Sequence, residues 1–560
     1  MQTSEAGTKP QGRKLFEGVT AYHWLVLILA SCGWLFDCMG QRIFVLAREP
    51  AMKELLGATA TDGDVKYWGG MATFILMIGW ATGGILFGMM SDKYGRVKAM
   101  VATLLAYTIF SGLSGLARTN TEFLLYRFLC GMGVGGMFGA ATTLLAESVP
   151  PRFRTMALGL MQSLSACGNM VASGLSISII PGMENFWGRW SGWQVLFFVG
   201  VAPAILAVPM LAVLKEPESW KKAKADAASG GGKKVGRITD LFRHPRWRKS
   251  TFVGICLGVA GMVGLWGIAF FSPELITTAF KNRALLAEEI AKPAEICLAL
   301  KSATNPAAAH IKTQFSPDVR TQFEQVETGK DVSATTQEAL LKELNRLIQD
   351  GNLYNAEAFT PINLKKGTAK LVQLVEAKKE KQDIVFLNRQ LIEQVFPGTI
   401  AELQKTIDRT RSRGTLLQDV GSLLGMLFFT FIASRFNRRK AFLGSFVFCM
   451  AAVSFVFYAL KTEADVYWML PLMGFGTLSC FAGYSIYFPE LFPTRLRGTG
   501  VGFCYNTVRY LAAPFPFLLG WLSTMMPFRT VAIVMCSIYL VGIVALIWAP
   551  ETKGQPLPED

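Results

Sequence analysis

Charge is what this sequence has little of. Asp, Glu, Lys and Arg make up 17% of its 560 residues, against about 25% in a typical soluble domain, which argues against a water-solvated globule. Histidine is scarcer still. His23, His244 and His310 lie at a helix start, in a linker and in a polar insertion. The apolar segments therefore hold no imidazole for acid–base or metal chemistry, and a membrane-embedded enzyme is the least supported reading. Cysteine is present but badly placed for cross-linking. Cys32, Cys38, Cys130, Cys167, Cys256, Cys449, Cys480, Cys504 and Cys536 fall in apolar runs, and only Cys297 lies in a long polar segment. That argues against a disulfide framework and a thiolate metal site, so no metal and no cofactor are expected. The short alternating segments of a membrane β-barrel are missing. No cleavable signal is expected either, because the first 23 residues are polar and the first apolar run is long, without a small-residue cleavage pattern after it.

What the chain has is apolar length. Hydrophobic residues make up 51% of it, and the mean hydropathy is +0.34. A helix of about 20 apolar residues crosses roughly 30 Å of hydrocarbon. Such runs are read near 24–46, 68–90, 99–117, 122–146, 156–180, 193–214, 251–273, 414–434, 441–460, 466–488, 498–523 and 527–548. The expectation is an all-α membrane protein with twelve transmembrane helices. Basic residues orient it. With the N-terminus inside, the inner segments carry Lys93, Arg96, Lys98, Arg152, Arg154, the Lys/Arg-rich stretch 215–250, Arg435, Arg438, Arg439, Lys440, Arg495 and Arg497. The short outer segments carry only Arg48, Lys53, Lys66, Arg118, Arg189, Lys461 and Arg529. The positive-inside rule then places both termini in the cytoplasm of a multi-pass protein of the plasma or inner membrane. The net charge of +16 becomes a topological signal and calls for no nucleic acid.

The chain also repeats itself. ESVPPRFR (147–154) follows the fourth run and ELFPTRLR (490–497) the tenth. SDKYGRVK (91–98) and SRFNRRK (434–440) follow the second and eighth, and PES (217–219) and PET (550–552) close the sixth and twelfth. Two pseudo-symmetric six-helix halves result, 1–214 and 251–560, joined by a basic linker, 215–250, with an insertion at 276–413 after the 251–275 helix. Internal repeats of this kind mark secondary transporters, whose halves rock about a site near the midplane.

At this point the residues resemble a family. GMMSDKYGRVK resembles the loop signature of the major facilitator superfamily, Gly-x-x-x-Asp-(Arg/Lys)-x-Gly-Arg-x-(Arg/Lys), at Gly88, Asp92, Lys93, Gly95, Arg96 and Lys98. RFLCGMGVGG (127–136) resembles its helix-4 signature. PETKG (550–554) and PELFPTRLRG (489–498) resemble the sugar-porter branch and its relatives that carry organic acids and niacin-type metabolites. Three departures weaken the case for a sugar. The seventh run has no Gln or Asn, PESWKK lacks the Pro-Arg that usually follows, and Ser434 stands where the first half has Asp92.

The resemblance implies a cytoplasmic gate of ion pairs between helix ends, here Asp92, Arg96, Glu147, Arg154, Arg438, Glu490 and Arg497. The alternative is plain helix-end solvation. Within the bilayer a charge needs a partner or a task. Asp37 and Arg127 lie at similar depths in the first and fourth runs by a rise of about 1.5 Å per residue, and the resemblance makes them a proton-coupling pair; a static ion pair is the alternative. Unpaired and dehydrated, Asp37 would take up a proton. Arg509 lies near the midplane with Asn506 one turn before it and no acid in its own run, which invites an anionic substrate or a carboxylate from another helix. Gln162, Ser165, Asn169 and Ser173 share one face of the fifth run, where Gln162 followed by Gly168 matches a sugar-porter contact pattern; helix–helix hydrogen bonding is the other reading. Trp266 and Tyr484 are further candidates for the cavity wall, with packing as the plainer alternative. Asp419 is a weaker carrier candidate, and Arg42 is near enough to the outer edge to snorkel.

Residues 276–413 read as a helical extracytoplasmic domain, with helical periodicity in TTQEALLKELNRLIQDG (335–351) and TAKLVQLVEAKKEK (368–381). The expected function is proton-coupled symport of a small organic acid, an aromatic or carboxylic metabolite, by a monomer whose partners are substrate, proton and lipid bilayer. A sugar or polyol porter and a transporter-like nutrient sensor are the alternatives.

Overall fold

A computed structural model describes residues 16–559 except 58–59, 61, 183–188, 230–233, 282–289, 303–305, 327–331, 350–387, 390 and 523–524. Among the described residues the chain is helical, without β-strands. The first-half helices are α1 (Ala21–Leu56), α2 (Asp62–Tyr94), α3 (Arg96–Gly115), α4 (Asn120–Ser148), α5 (Pro151–Gly182) and α6 (Gly192–Val213). The second half has α7 (Pro245–Val263), α8 (Thr399–Arg435), α9 (Arg438–Ala459) and α10 (Glu463–Leu491). It continues through α11 (Arg497–Asn506, Val508–Ala512, Phe515–Leu522) to α12 (Phe528–Ala545).

Among the described residues, ten helices are long and apolar enough to cross a membrane. The two expected spans outside that count are α5 and α11. α5 is one helix of 32 residues, whereas α11 is broken into three pieces, the last beginning after Pro514. Proline there has no amide hydrogen to continue the helix. Large apolar side chains point outward: Ile205 is 75% exposed, Val208 70%, Phe431 61% and Ile547 66%. Lipid, not water, is the solvent such a surface suits.

Small residues set the spacing of the helices. On the Gly-rich face of α4, a Cβ at Gly131 would lie 2.3 Å from the Leu76 carbonyl oxygen of α2, and one at Gly133 2.4 Å from the Tyr107 nitrogen of α3. The same device joins the halves. A Cβ at Gly88 would lie 2.7 Å from the Gly498 oxygen, and one at Gly502 2.4 Å from the Gly84 oxygen, so α2 and α11 touch backbone to backbone. In α7 the helix loosens into a π turn at Gly264–Ile268. Such bulges concentrate at functional sites, and this one carries Trp266.

The chain divides into two compact units. One comprises residues 1–272, 414–459 and 467–560, the other 273–413 and 460–466. The second contains the short helices Pro293–Ser302, Pro306–Thr313, Pro317–Glu324 and Ala334–Gln349. Their shared core includes Ile296, Cys297, Ile311, Phe323, Leu340 and Leu347, all buried. Ala334–Gln349 accounts for the periodicity of 335–351, whereas 368–381 lies outside the described residues. Within this unit the Arg346 guanidinium binds Glu343 at 2.8 Å and holds its carboxyl below the usual range. All ten cysteines are free thiols.

Candidate substrate site and inter-half gates

At the end of the bundle that carries the repeated phrases, the acids and arginines form a buried network. Asp92, at the end of α2, is fully buried. It pairs with Arg96 at 3.0 Å and accepts three hydrogen bonds from the start of α11: Gly498 N at 3.0 Å, Thr499 N at 2.7 Å and Thr499 Oγ1 at 2.6 Å. A first-half carboxylate thus caps a second-half helix, where unpaired amides and the helix dipole favour negative charge. Glu147, whose side chain is also fully buried, bridges the halves. It takes Arg96 Nε and Nη2, each at 3.1 Å, and Arg497 Nη1 at 2.5 Å. Arg497 also donates to the Pro489 carbonyl at 3.0 Å, and Arg96 to the Thr494 carbonyl at 2.8 Å. Buried charges are tolerable only when paired and hydrogen-bonded to this degree.

The second-half counterpart keeps the inner pair and loses the cross-link. Arg438 grips Glu490 with Nε at 3.2 Å and Nη2 at 2.9 Å, and Glu490 accepts from Thr552 at 2.6 Å. The link from Arg438 to the first half is one hydrogen bond, to Thr155 Oγ1 at 2.7 Å. Ser434, in place of an acid, donates to its own helix at Phe431. Arg154, in the place corresponding to Arg497, donates to the Ala146 carbonyl at 2.9 Å within its own half.

Two further carboxylates complete this end. Glu216 accepts from the amides of Arg96 at 2.6 Å and Val97 at 3.0 Å, capping α3. Gly95 makes this cap accessible: its φ is +122°, and a Cβ there would lie 2.3 Å from Glu216 Oε1. Glu551 does the same for α9 through the amides of Arg438 at 3.0 Å and Arg439 at 3.3 Å. The PES and PET phrases are therefore equivalent in role, but the capping acid of the first is Glu216, just before its proline. Glu218 instead pairs with Lys221.

Toward the middle of the bundle lies Arg509, 1% exposed. Its Nη1 donates to the Tyr505 carbonyl at 2.7 Å and to Asn506 Oδ1 at 2.9 Å. Its guanidinium lies 3.7 Å from the centre of the Trp80 ring and 4.6 Å from that of Tyr505, while its Nε has no partner. No carboxylate binds it among the described residues. Asn506 in turn donates to the Gly502 and Gly135 carbonyls at 2.8 and 3.3 Å, which fixes its amide. Aromatic contacts lead from here to α1: Tyr505 stacks on Phe138 at 3.7 Å, and Phe138 packs on Trp34 at 5.2 Å. One turn past Trp34 lies Asp37, fully buried. Gln41 donates to its Oδ2 at 3.1 Å, and its Oδ1 has no partner. The charge of Arg509 acts on it.

The expected pairing of Asp37 with Arg127 is not made. Arg127 turns to α3, where Ser114 Oγ accepts from its Nε at 2.9 Å and also from its Nη2, and the Phe110 carbonyl accepts at 3.3 Å. Phe44, Phe123 and Phe197 surround the guanidinium, the last at 4.7 Å. Neutral acceptors and ring faces satisfy the cation there. At the end opposite the basic network, Arg42 of α1 meets Asp419 of α8 at 3.5 Å. Arg42 Nε donates to Ser173 Oγ at 3.4 Å, and the Asn169 side chain acts on Asp419.

The sequence profile of the Major Facilitator Superfamily matches residues 30–286 and 415–559. The chain belongs to that superfamily. It is 34% identical over 155 residues to the cis,cis-muconate transport protein of Acinetobacter baylyi, covering 28% of this chain and 36% of that protein. It is 30% identical over 203 residues to the benzoate transport protein of the same organism, covering 35% and 40%. The chain spans between 36% and 60% of the length of such curated relatives. The solved structure of the proton:xylose symporter XylE shares the fold, with a TM-score of 0.55 at 16% identity over 96% of this chain and 98% of that one.

Set in the major facilitator fold, the candidate residues sort by geometry. Asp92, Arg96, Glu147 and Arg497 form one network and Arg438 and Glu490 a second, while Arg154 joins neither by an ion pair. Arg509 and Asn506 act together, with Asp37 nearby. Gln162 is buried with its Oε1 unpartnered, so it can still accept a hydrogen bond from a ligand donor. Tyr484 is committed to structure: its hydroxyl donates to the Leu257 carbonyl at 2.7 Å and its ring stacks on Phe488 at 5.0 Å. Trp266 packs edge-on to Trp80 at 5.8 Å. Sequence reasoning passed over Trp80, Tyr505, Thr499, Glu216 and Glu551. The two capping acids had a signal, each lying beside the proline that closes a half; Trp80, one apolar residue among many in α2, had none.

Proposed function

We propose that this major facilitator imports a small organic anion together with a proton by alternating access. The observation that carries the reading is Arg509: a buried cation near the middle of the bundle, laid on Trp80, with a free Nε and no bound carboxylate. A substrate carboxylate supplies the missing charge, and the planar fork suits it. The indole and phenol faces beside it suit a flat, conjugated body. The muconate and benzoate transport proteins among its relatives accord with this. Asp37 is the proton carrier in this reading. A substrate carboxylate seated on Arg509 adds a negative charge to the buried site, and a proton taken up by Asp37, whose Oδ1 has no partner, offsets it. Anion and proton then cross together, from the side opposite the basic, cytoplasmic end. Arg127 is a structural cation fastening α4 to α3.

Transport into proteoliposomes tests this. Asp37→Asn is expected to abolish pH-gradient-driven accumulation of benzoate or muconate while exchange persists. Arg509→Lys is expected to weaken carboxylate binding although charge is kept, by about 1.5–3 kcal/mol for a lost charge-assisted hydrogen bond. Binding of sugars without carboxylates, or normal accumulation by Asp37→Asn, overturns the reading. Ligand binding without any flux would make the protein a sensor.

A further inference from the structure

The start of α7 is charged the wrong way for a helix. Arg246, Arg248 and Lys249 open it, and its first turn has no acid, although the positive end of the helix dipole disfavours cations there. Arg246 and Lys249, three residues apart, share one face and line a cavity of about 240 Å³. Ser250 lines it beside them, and the end of α10 and residues 550–558 form the other walls, Glu490 and Pro558 among them. Both cations are exposed. Arg246 rests on the Trp247 ring at 4.8 Å, and neither cation has a carboxylate partner among the described residues. Ser250 is 6% exposed, and its hydroxyl has no hydrogen-bond partner among the described residues. Glu490 is the acid of the lining, and Arg438 and Thr552 already hold it, at 2.9 and 2.6 Å. The wall formed by the tail is fastened in place: Lys553 donates to the Arg435 carbonyl at 2.6 Å, and Arg497 to the Pro558 carbonyl at 3.3 Å. The cavity thus keeps two unneutralised cations and an unused buried hydroxyl. It also sits at a boundary. Residues 251–272 carry no charge, and Phe252, about 4.5 Å along the helix from Lys249, is 58% exposed on the lipid-facing surface.

We propose that this cavity is a phosphate-binding site, separate from the substrate site, that takes the headgroup of an anionic phospholipid. Arg246 offers a planar fork, Lys249 a compact charge and Ser250 a neutral donor, a set that suits phosphate oxygens. The cavity is several times the roughly 30 Å³ that a water molecule occupies, so a phosphate fits with its ester substituent. A soluble phosphate ester would satisfy the same three groups. Depth favours the lipid: Lys249 is the last charge before the apolar span, and Phe252 gives acyl chains a surface to lie on. Basic pockets between transmembrane helices at the inner membrane surface suit such headgroups. A headgroup seated there joins the start of α7, the end of α10 and the C-terminal tail. It stays with the protein and is not cargo, so the proposal does not rest on the carboxylate reading of Arg509.

Native mass spectrometry on the purified full chain in detergent tests the site, with phosphatidylglycerol and phosphatidylcholine as probes. The parent is expected to bind a first phosphatidylglycerol about tenfold more tightly than phosphatidylcholine, whose choline cancels the phosphate charge, a ratio that two cations near a headgroup sustain. The double variant, Arg246→Gln with Lys249→Gln, is expected to lose that preference. Arg248→Gln removes an exposed cation of the same turn that does not line the cavity. It is expected to change binding by less than about twofold, because charge acting through solvent is screened. Thermal unfolding without added lipid is expected to be alike in all three proteins, since the altered side chains are exposed. Equal binding of the two lipids by the parent overturns the proposal. So does a loss in Arg248→Gln that matches the double variant, which would mean diffuse surface charge and no site. Glycerol phosphate that displaces phosphatidylglycerol at micromolar concentration would overturn the lipid source and assign the cavity to a soluble phosphate ester. A protein that moved sugars instead of carboxylates would overturn the substrate assignment and leave these binding results standing.

Discussion

The two seams between the halves at the basic end come from the same repeated phrase and are built differently. Where α2 meets α11, Asp92 caps the α11 terminus and Glu147 holds Arg497 across the seam. Where the second-half network faces α5, the links are hydrogen bonds, from Arg438 to Thr155 and, further along α10, from Ser485 to the Leu158 carbonyl. The difference traces to two positions. Ser434 replaces Asp92, which removes the cap. Pro151 follows Pro150, where the other copy has Pro493-Thr494, and proline at the first helical position starts a helix. Thus α5 begins at Pro151, and Arg154 N already bonds to the Pro150 carbonyl at 3.1 Å. The other copy first makes a 3-10 turn, Thr494–Leu496, and starts α11 only at Arg497. That delay leaves the amides of Gly498 and Thr499 free for Asp92. Duplicated sequence does not guarantee duplicated wiring, because one residue in the turn decides which amides remain to be capped.

The sharpest way to break the comparison is at the two glutamates. Glu147→Gln leaves the fully buried Arg497 without its carboxylate and Arg96 with Asp92 alone, and a broken buried pair costs about 3–5 kcal/mol. Thermal unfolding in detergent is expected to show a large loss, and distances between spin labels on the two halves to report opening at the basic end. Glu490→Gln removes hydrogen-bonded partners that lie in its own half, while across the seam it loses only the through-space attraction of Arg154, so stability should fall with a smaller change in those distances. Equal opening in both variants would mean the seams are equivalent after all.

A smaller effect is expected when the first half is made to copy the second. Asp92→Ser removes the acceptor of three hydrogen bonds from α11 and the partner of Arg96. The expected loss is about 1.5–3 kcal/mol, the range for hydrogen bonds to a charged group, with hydrogen exchange rising at residues 497–500. No change there would remove Asp92 from the seam.

Least is expected from the reverse copy. Ser434 is exposed, and the α5 amides it would have to cap are already bonded within the helix. Ser434→Asp is therefore expected to alter stability by about 0.5 kcal/mol or less. A clear stabilisation would show that the missing acid alone, and not the earlier start of α5, accounts for the asymmetry.

Much of this was legible before any coordinates. Long apolar runs declare helices in lipid because hydrocarbon leaves the backbone no other way to satisfy its polar groups. The repeats announced two halves, and spacing placed Asp92, Glu147 and their arginines at neighbouring helix ends, since charge at an apolar terminus is costly to misplace. Depth along a helix, likewise a matter of counting, put Arg509 near the midplane. Counting residues says nothing of rotation about the helix axis or of which neighbour is met. Asp37 and Arg127 have matching depths, yet Arg127 faces Ser114 and three phenyl rings while Asp37 takes Gln41 of its own helix. Arg42, read as a lone cation near the surface, found Asp419 on a helix that lies 377 residues later in the chain. Composition and period determined what lies in the membrane and how deep; packing, which depends on contacts between distant segments, decided which charges meet.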